Sequence, residues 1–257
     1  MSLMHVHFFS KMLSRKTEVS VMIPDHAQMR GDKWPVMWLL HGAMGGHSDW
    51  DRNTMIELYA EKYGFAVVMA SAANSFYANI PTGRYFDFLT EELPTMLSRM
   101  LPISSKREDN LVAGFSMGGH GAYKLGLTRP DKYAGIIVFS AGNFIETLEM
   151  PEDSPFGQIH QYVFGTTHIN SLLNTEHDVK YLAKKAVGNG SILPKLFVCC
   201  GTEDGGFPVV KSTFGYMKDL GFNAEWHEES GAHDWFFINK MLPLATEWGY
   251  DVLNKKG

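Results

Sequence analysis

Short continuous apolar runs, separated by longer stretches of helical spacing, set the rhythm of this chain. PVMWLL (35–40), FAVVMA (65–70), LVAGF (111–115), YAGIIVFS (133–140) and KLFVCCG (195–201) have the length of strands and no polar alternation. That pattern marks strands covered on both faces. TEVSVMIP (17–24) alternates and stops at Pro24, and NAEWHE (223–228) reads as a half-exposed strand. Residues 54–63, 86–101, 117–128, 208–220 and 235–253 carry helical spacing, with Pro94 and Pro243 as expected kinks or breaks. Strands that alternate with helices, and are themselves apolar throughout, predict an α/β fold with a doubly wound, mostly parallel sheet. From 143 to 190 the rhythm changes to a helical and irregular stretch without a strand pattern. The expectation is one domain over 1–257. Segment 143–190 is then an insertion over the C-terminal edge of the sheet, where open α/β sheets hold their sites. No element is assigned to 1–16, which mixes His5, His7, Lys11, Arg15 and Lys16 with short apolar pairs.

The chemistry starts where the third of these runs ends. Gly114-Phe115-Ser116-Met117-Gly118 follows a buried strand and opens a helix. A serine on such a turn is lifted clear of the sheet, and the glycines let strand and helix approach each other. Ser116 is therefore the candidate nucleophile. Its base must be a histidine on a loop that reaches it. His233 lies in Ser230-Gly231-Ala232-His233-Asp234, after the last strand and before the last helix, in the chain order that this motif uses. His41 reads as a shaping residue of a glycine-rich loop, and His47 is a weaker rival. His120 is expected to point away from Ser116. His26, His160, His168, His177 and His227 are expected at the surface. The acid that orients the base is Asp204 in Gly201-Thr202-Glu203-Asp204-Gly205-Gly206, with Glu203 as its direct competitor. Two backbone amides are needed for an oxyanion: Met117, after the nucleophile, and Ala43, in the His41–Gly46 loop. Trp50, Phe76, Tyr77 and Trp235 are candidates for the wall of the acyl pocket.

Composition narrows the class. The chain has 257 residues, 45% hydrophobic and 20% charged, with a net charge of −5 and no basic block, which argues against nucleic acid as a partner. No apolar run approaches the roughly 18 residues of a membrane span, and 1–16 lacks the apolar core of a signal peptide. A cytoplasmic location is expected. Cys199 and Cys200 are adjacent on a strand, point to opposite faces and are expected to stay unpaired. No His, Cys, Asp or Glu set has metal-ligand spacing, so neither metal nor cofactor is called for.

The segments LLHGAMGG, GFSMGGHGAYKLGL, GTEDGG and GAHDW together resemble the esterase D group of α/β-hydrolases, which includes S-formylglutathione hydrolases and bacterial tributyrin esterases and acetylesterases. YFDFLTEELP is similar to a segment of the tributyrin esterases. The resemblance covers about 20–250. It implies an α/β-hydrolase fold, Ser116, Asp204 and His233 as triad, and the Ala43 and Met117 amides as oxyanion hole. The formylglutathione hydrolases usually carry a longer loop, with several acidic residues and a tyrosine, where this chain has only 74–83. The expectation is a serine carboxylesterase acting on acetyl to butyryl esters. A thioesterase of the S-formylglutathione type is the alternative. A non-catalytic binding protein of the same fold is the alternative from another class. The partner is a small acyl ester, and homo-oligomer formation is compatible with this reading.

Overall fold

The computed structural model describes residues 1–27, 29–146, 153–166 and 168–254. The chain enters through a hairpin, β1 (Ser2–Ser10) and β2 (Arg15–Ile23). The strands β3 (Val36–Leu40) and β4 (Ala66–Ala70) follow. Helices α1 (Asp49–Asn53) and α2 (Ile56–Tyr63) lie between them. A two-residue hairpin, β5 (Asn79–Ile80) and β6 (Gly83–Arg84), leads into α3 (Tyr85–Asp87), a π-helical turn (Phe88–Glu92) and α4 (Leu93–Met100). Next come β7 (Asn110–Phe115), α5 (Met117–Thr128) and β8 (Gly135–Phe139). Helices α6 (Pro155–Phe164) and α7 (Val179–Gly188) precede β9 (Lys195–Gly201). Helix α8 (Phe207–Asp219), β10 (Ala224–Glu229) and α9 (Trp235–Asn254) close the chain.

Eight strands form one sheet in the order β1-β2-β4-β3-β7-β8-β9-β10. The pairs β1/β2 and β2/β4 are antiparallel, and every later pair is parallel. Side chains alternate along each strand, so every apolar run feeds two cores. Val36, Trp38 and Leu40 pack with Leu93, Tyr123, Leu182 and Val210 of α4, α5, α7 and α8. Met37 and Leu39 pack with Trp50, Ile56, Ala60, Ile238 and Met241 of α1, α2 and α9. Both faces are covered, which is the doubly wound arrangement that the apolar runs imply. Cys199 and Cys200 are unpaired and belong to opposite cores.

Three elements differ from the sequence reading. Residues 2–10 are a strand: Met4, Val6 and Phe8 pack inward while Leu3, His5, His7 and Phe9 stay exposed at the sheet edge. The expected helix 86–101 turns π-helical over Phe88–Glu92, and Pro94 follows in the first turn of α4, with the Thr90 carbonyl accepting from Lys132 Nζ instead of a helical amide. The π turn before it absorbs the change of register. Segment 143–190 contains no strand among its described residues. It is built of short helical pieces, and its residues 147–152 and 167 lie outside the described residues. Helix α6 is capped by the Ser154 hydroxyl and α7 by the Asp178 carboxylate. No helix among the described residues is long and apolar enough to cross a membrane.

Candidate active site

The turn between β7 and α5 has the geometry that the motif requires. Ser116 sits at φ 57°, ψ −120°, a conformation that L-residues rarely adopt. It is held there from both sides: its amide donates to the Phe139 carbonyl (3.0 Å), and its carbonyl accepts from the His120 amide (3.0 Å). A Cβ on Gly114 would fall on the backbone of Gly118, and one on Gly118 would fall on the Leu40 and His41 carbonyls. The two glycines therefore allow β3, β7 and α5 to converge under the serine.

The structure brings His233 and Asp204 to this serine. The Ser116 hydroxyl lies 2.8 Å from His233 Nε2, and His233 Nδ1 lies 2.7 Å from Asp204 Oδ2. A carboxylate only accepts, so Nδ1 carries the proton and donates; Nε2 of the neutral ring then accepts from the Ser116 O–H. Asp204 is buried in the loop between β9 and α8. Burial pushes its carboxyl up, but hydrogen bonds from His233 and from the Gly206 amide (2.8 Å) outweigh this and hold it below the ordinary carboxylate value. Glu203 faces elsewhere: it accepts from the Gly231 amide and from the Ser230 hydroxyl (3.2 Å). It clamps the loop that carries His233, a role that sequence spacing did not separate from Asp204's.

Beside the serine lies a cavity of about 180 Å³, bordered by Ala43, Phe76, Ser116, Met117, Ala141, Phe144, Val209 and Val210. Ala43 and Met117 thus share a wall with the serine. The Met117 amide opens α5, where a helix has no internal acceptor for it. Of the four aromatic residues expected in the wall, only Phe76 is there. Trp50 and Tyr77 are fully buried and act on the loop instead. Trp50 Nε1 donates to the Leu40 carbonyl (3.0 Å), and the Tyr77 hydroxyl donates to the His41 carbonyl (2.8 Å). The His41 ring completes the brace between the Gly42 carbonyl (2.7 Å) and the Ala72 amide (2.9 Å). Trp235 stacks edge-on against Phe115 and Trp50 rather than in the cavity, and it is Phe115 that lies against the His233 ring.

Two histidines that sequence reasoning placed elsewhere border this cavity. His120 and His160 are each 2% exposed. His160 is buried among Phe76, Phe144 and Phe164, and the contacts with Phe76 and Phe144 are tertiary ones with no local sequence mark. Among the other histidines, His26 and His168 are exposed as expected, whereas His177 and His227 are half-buried. His47 is bound to Ser71 (3.0 Å).

Comparison with known proteins points to an esterase. The model of the Esterase family matches residues 10–205. An acetyl esterase of Caldicellulosiruptor saccharolyticus is 30% identical, over 96% of this chain and 98% of that protein. Among solved structures, the fluorophosphonate-binding serine hydrolase FphF of Staphylococcus aureus is 27% identical with a TM-score of 0.86, covering 99% of both chains. S-formylglutathione hydrolase (FrmB) of the same organism is 28% identical with a TM-score of 0.85, over 98% of this chain and 99% of that one. The chain belongs to the Esterase family, as a carboxylic ester hydrolase of the α/β-hydrolase fold.

Proposed function

We propose that this esterase hydrolyses short-chain acyl esters, acetyl to butyryl, through an acyl-enzyme on Ser116. The observation that carries the reading is the unbroken line from Ser116 through His233 to Asp204 beside a small apolar cavity. His233 takes the hydroxyl proton as Ser116 attacks the ester carbonyl. The Ala43 and Met117 amides receive the oxyanion. His233 then protonates the leaving alcohol, and water releases the acid by the same steps in reverse. Asp204 stays ionised and stabilises the imidazolium as it forms. The whole chain acts as one domain in this reading.

Replacing Ser116 by Ala is expected to lower turnover of p-nitrophenyl acetate by roughly 10⁴-fold or more while the fold persists. Retained turnover with an unchanged circular dichroism spectrum would overturn the assignment. The likeness to the S. aureus S-formylglutathione hydrolase favours a second reading, a thioesterase for that substrate. Catalytic efficiency on S-formylglutathione, set against that on the C2 to C4 esters, decides between the two.

A further inference from the structure

The wall of the cavity is not uniformly apolar. His120 comes from the second turn of α5, four residues beyond Ser116 and on the same side of the helix. His160 comes from α6. Their rings meet Phe76 and Phe144: the ring centres lie 4.7 Å apart for His120 and Phe144, and 5.3 Å for His160 and Phe76. Both nitrogens of His120 and Nδ1 of His160 are buried and have no hydrogen-bond partner among the described residues. An unpaired buried polar atom costs about 1–3 kcal/mol, and here three occur side by side at the edge of a substrate cavity.

We propose that His120 and His160 are specificity-determining residues, and that the cavity selects short acyl groups that carry an uncharged hydroxyl. The proposal rests on the reading of this cavity as the acyl site. Burial holds both imidazoles uncharged, and the ammonium of Lys124 adds to this at His120. A neutral imidazole offers one N–H and one lone pair. A hydroxyl matches such a pair, since it donates to one ring and accepts from the other. A carboxylate is excluded on energetic grounds: it cannot donate, and it would leave water for a wall of Phe76, Ala141, Phe144, Val209 and Val210. The outer torsion of a histidine is broad, so each ring can turn a nitrogen toward the cavity without moving the backbone. Space suffices for more than acetyl: a cavity of about 150 Å³ accepts benzene, and this one measures about 180 Å³.

The test uses isosteric pairs of p-nitrophenyl esters, 3-hydroxybutanoyl against 3-methylbutanoyl and 4-hydroxybenzoyl against 4-methylbenzoyl. The wild-type protein is expected to show a hydroxyl-to-methyl ratio of kcat/KM of about 10 or more in at least one pair, because a site with unpaired polar groups rejects the analogue that cannot pair them. The ratio is expected to fall to about 1 or below in His120→Phe and His160→Phe. It is expected to persist in His120→Gln, whose amide keeps a donor and an acceptor. The ratio is internal to each protein, so a loss of folded enzyme does not imitate the effect. A wild-type ratio at or below 1 in both pairs overturns the proposal without any variant. Preference for a monosuccinyl ester over the hydroxyacyl esters overturns it as well. Failure of the broader reading looks different, because the wild type would then turn over none of these esters, p-nitrophenyl acetate included.

Discussion

At the scale of single residues, the site divides two adjacent acids by what each can reach. Asp204 receives the His233 N–H, whereas Glu203 receives the amide and hydroxyl of the His233 loop. Asp204→Asn is therefore expected to lower kcat on the order of 10⁴-fold, because an amide no longer fixes the tautomer in which Nε2 can accept a proton. Glu203→Gln is expected to lower kcat less than tenfold and to show its effect in the thermal midpoint. Steady-state kinetics on p-nitrophenyl acetate, with melting curves for both variants, checks the pair. Equal losses of kcat would sink the division of roles. Sequence could narrow the choice to these two neighbours, since order along the chain and the end of a strand select the loop. It could not rank them firmly, because the direction of each side chain is set by how the loops fold over β9. The aromatic residues show the same limit. Trp50 and Tyr77 have the same chemistry as Phe76, and only packing decides that they brace the His41–Gly46 loop while Phe76 faces the cavity.

At the scale of elements, convergence of β3, β7 and α5 is what strains Ser116 and presents it. That convergence depends on glycines with no space for a methyl group. Gly118→Ala is expected to destabilise the protein by at least about 3 kcal/mol, since the new Cβ meets backbone carbonyls that cannot rotate away. Gly215→Ala offers the contrast. Gly215 lies inside α8 with open space around its Cβ position, and the change is expected to stabilise by about 0.5–1 kcal/mol. Urea midpoints for the two variants give opposite signs if the crowding argument holds. The strand–turn–helix was legible because hydrophobic period and glycine placement are local. The hairpin strand β1 was not: its inward residues Met4, Val6 and Phe8 alternate with two histidines at a free sheet edge, and the pattern resembles a polar terminus until the neighbouring strand is in place.

At the scale of the whole molecule, the region behind the cavity collects basic groups, and the acid beside them, Glu176, is an exposed one 3.7 Å from His177 Nε2. His120 and His160 are buried, His177 is held down to about 3, and Lys124, whose Nζ lies 3.2 Å from His177 Nδ1, is held down to about 8. Desolvation is the first cause in each case, because a low-dielectric interior disfavours the charged form. The sign follows for stability. Between about 3 and the ordinary value of 6.5 the unfolded chain binds a proton at His177 that the folded chain refuses, and His120 and His160 act in the same direction below 6.5, so stability rises with pH there and falls on acidification. Lys124 obeys the same sign in a second window, from about 8 to 10.5, where the folded chain has lost a proton that the unfolded chain keeps. Urea midpoints measured from pH 4.5 to 10 should therefore rise on both limbs. His120→Phe is expected to flatten the acid limb. Lys124→Met is expected to raise stability at pH 7 by about 1–3 kcal/mol, because it removes a buried charge whose desolvation outweighs its attraction to Glu176, and to flatten the alkaline limb. If the slope of the acid limb is the same in wild type and His120→Phe, the buried imidazole is not what the protein loses to acid, and the neutral state on which hydroxyl recognition depends loses its support as well.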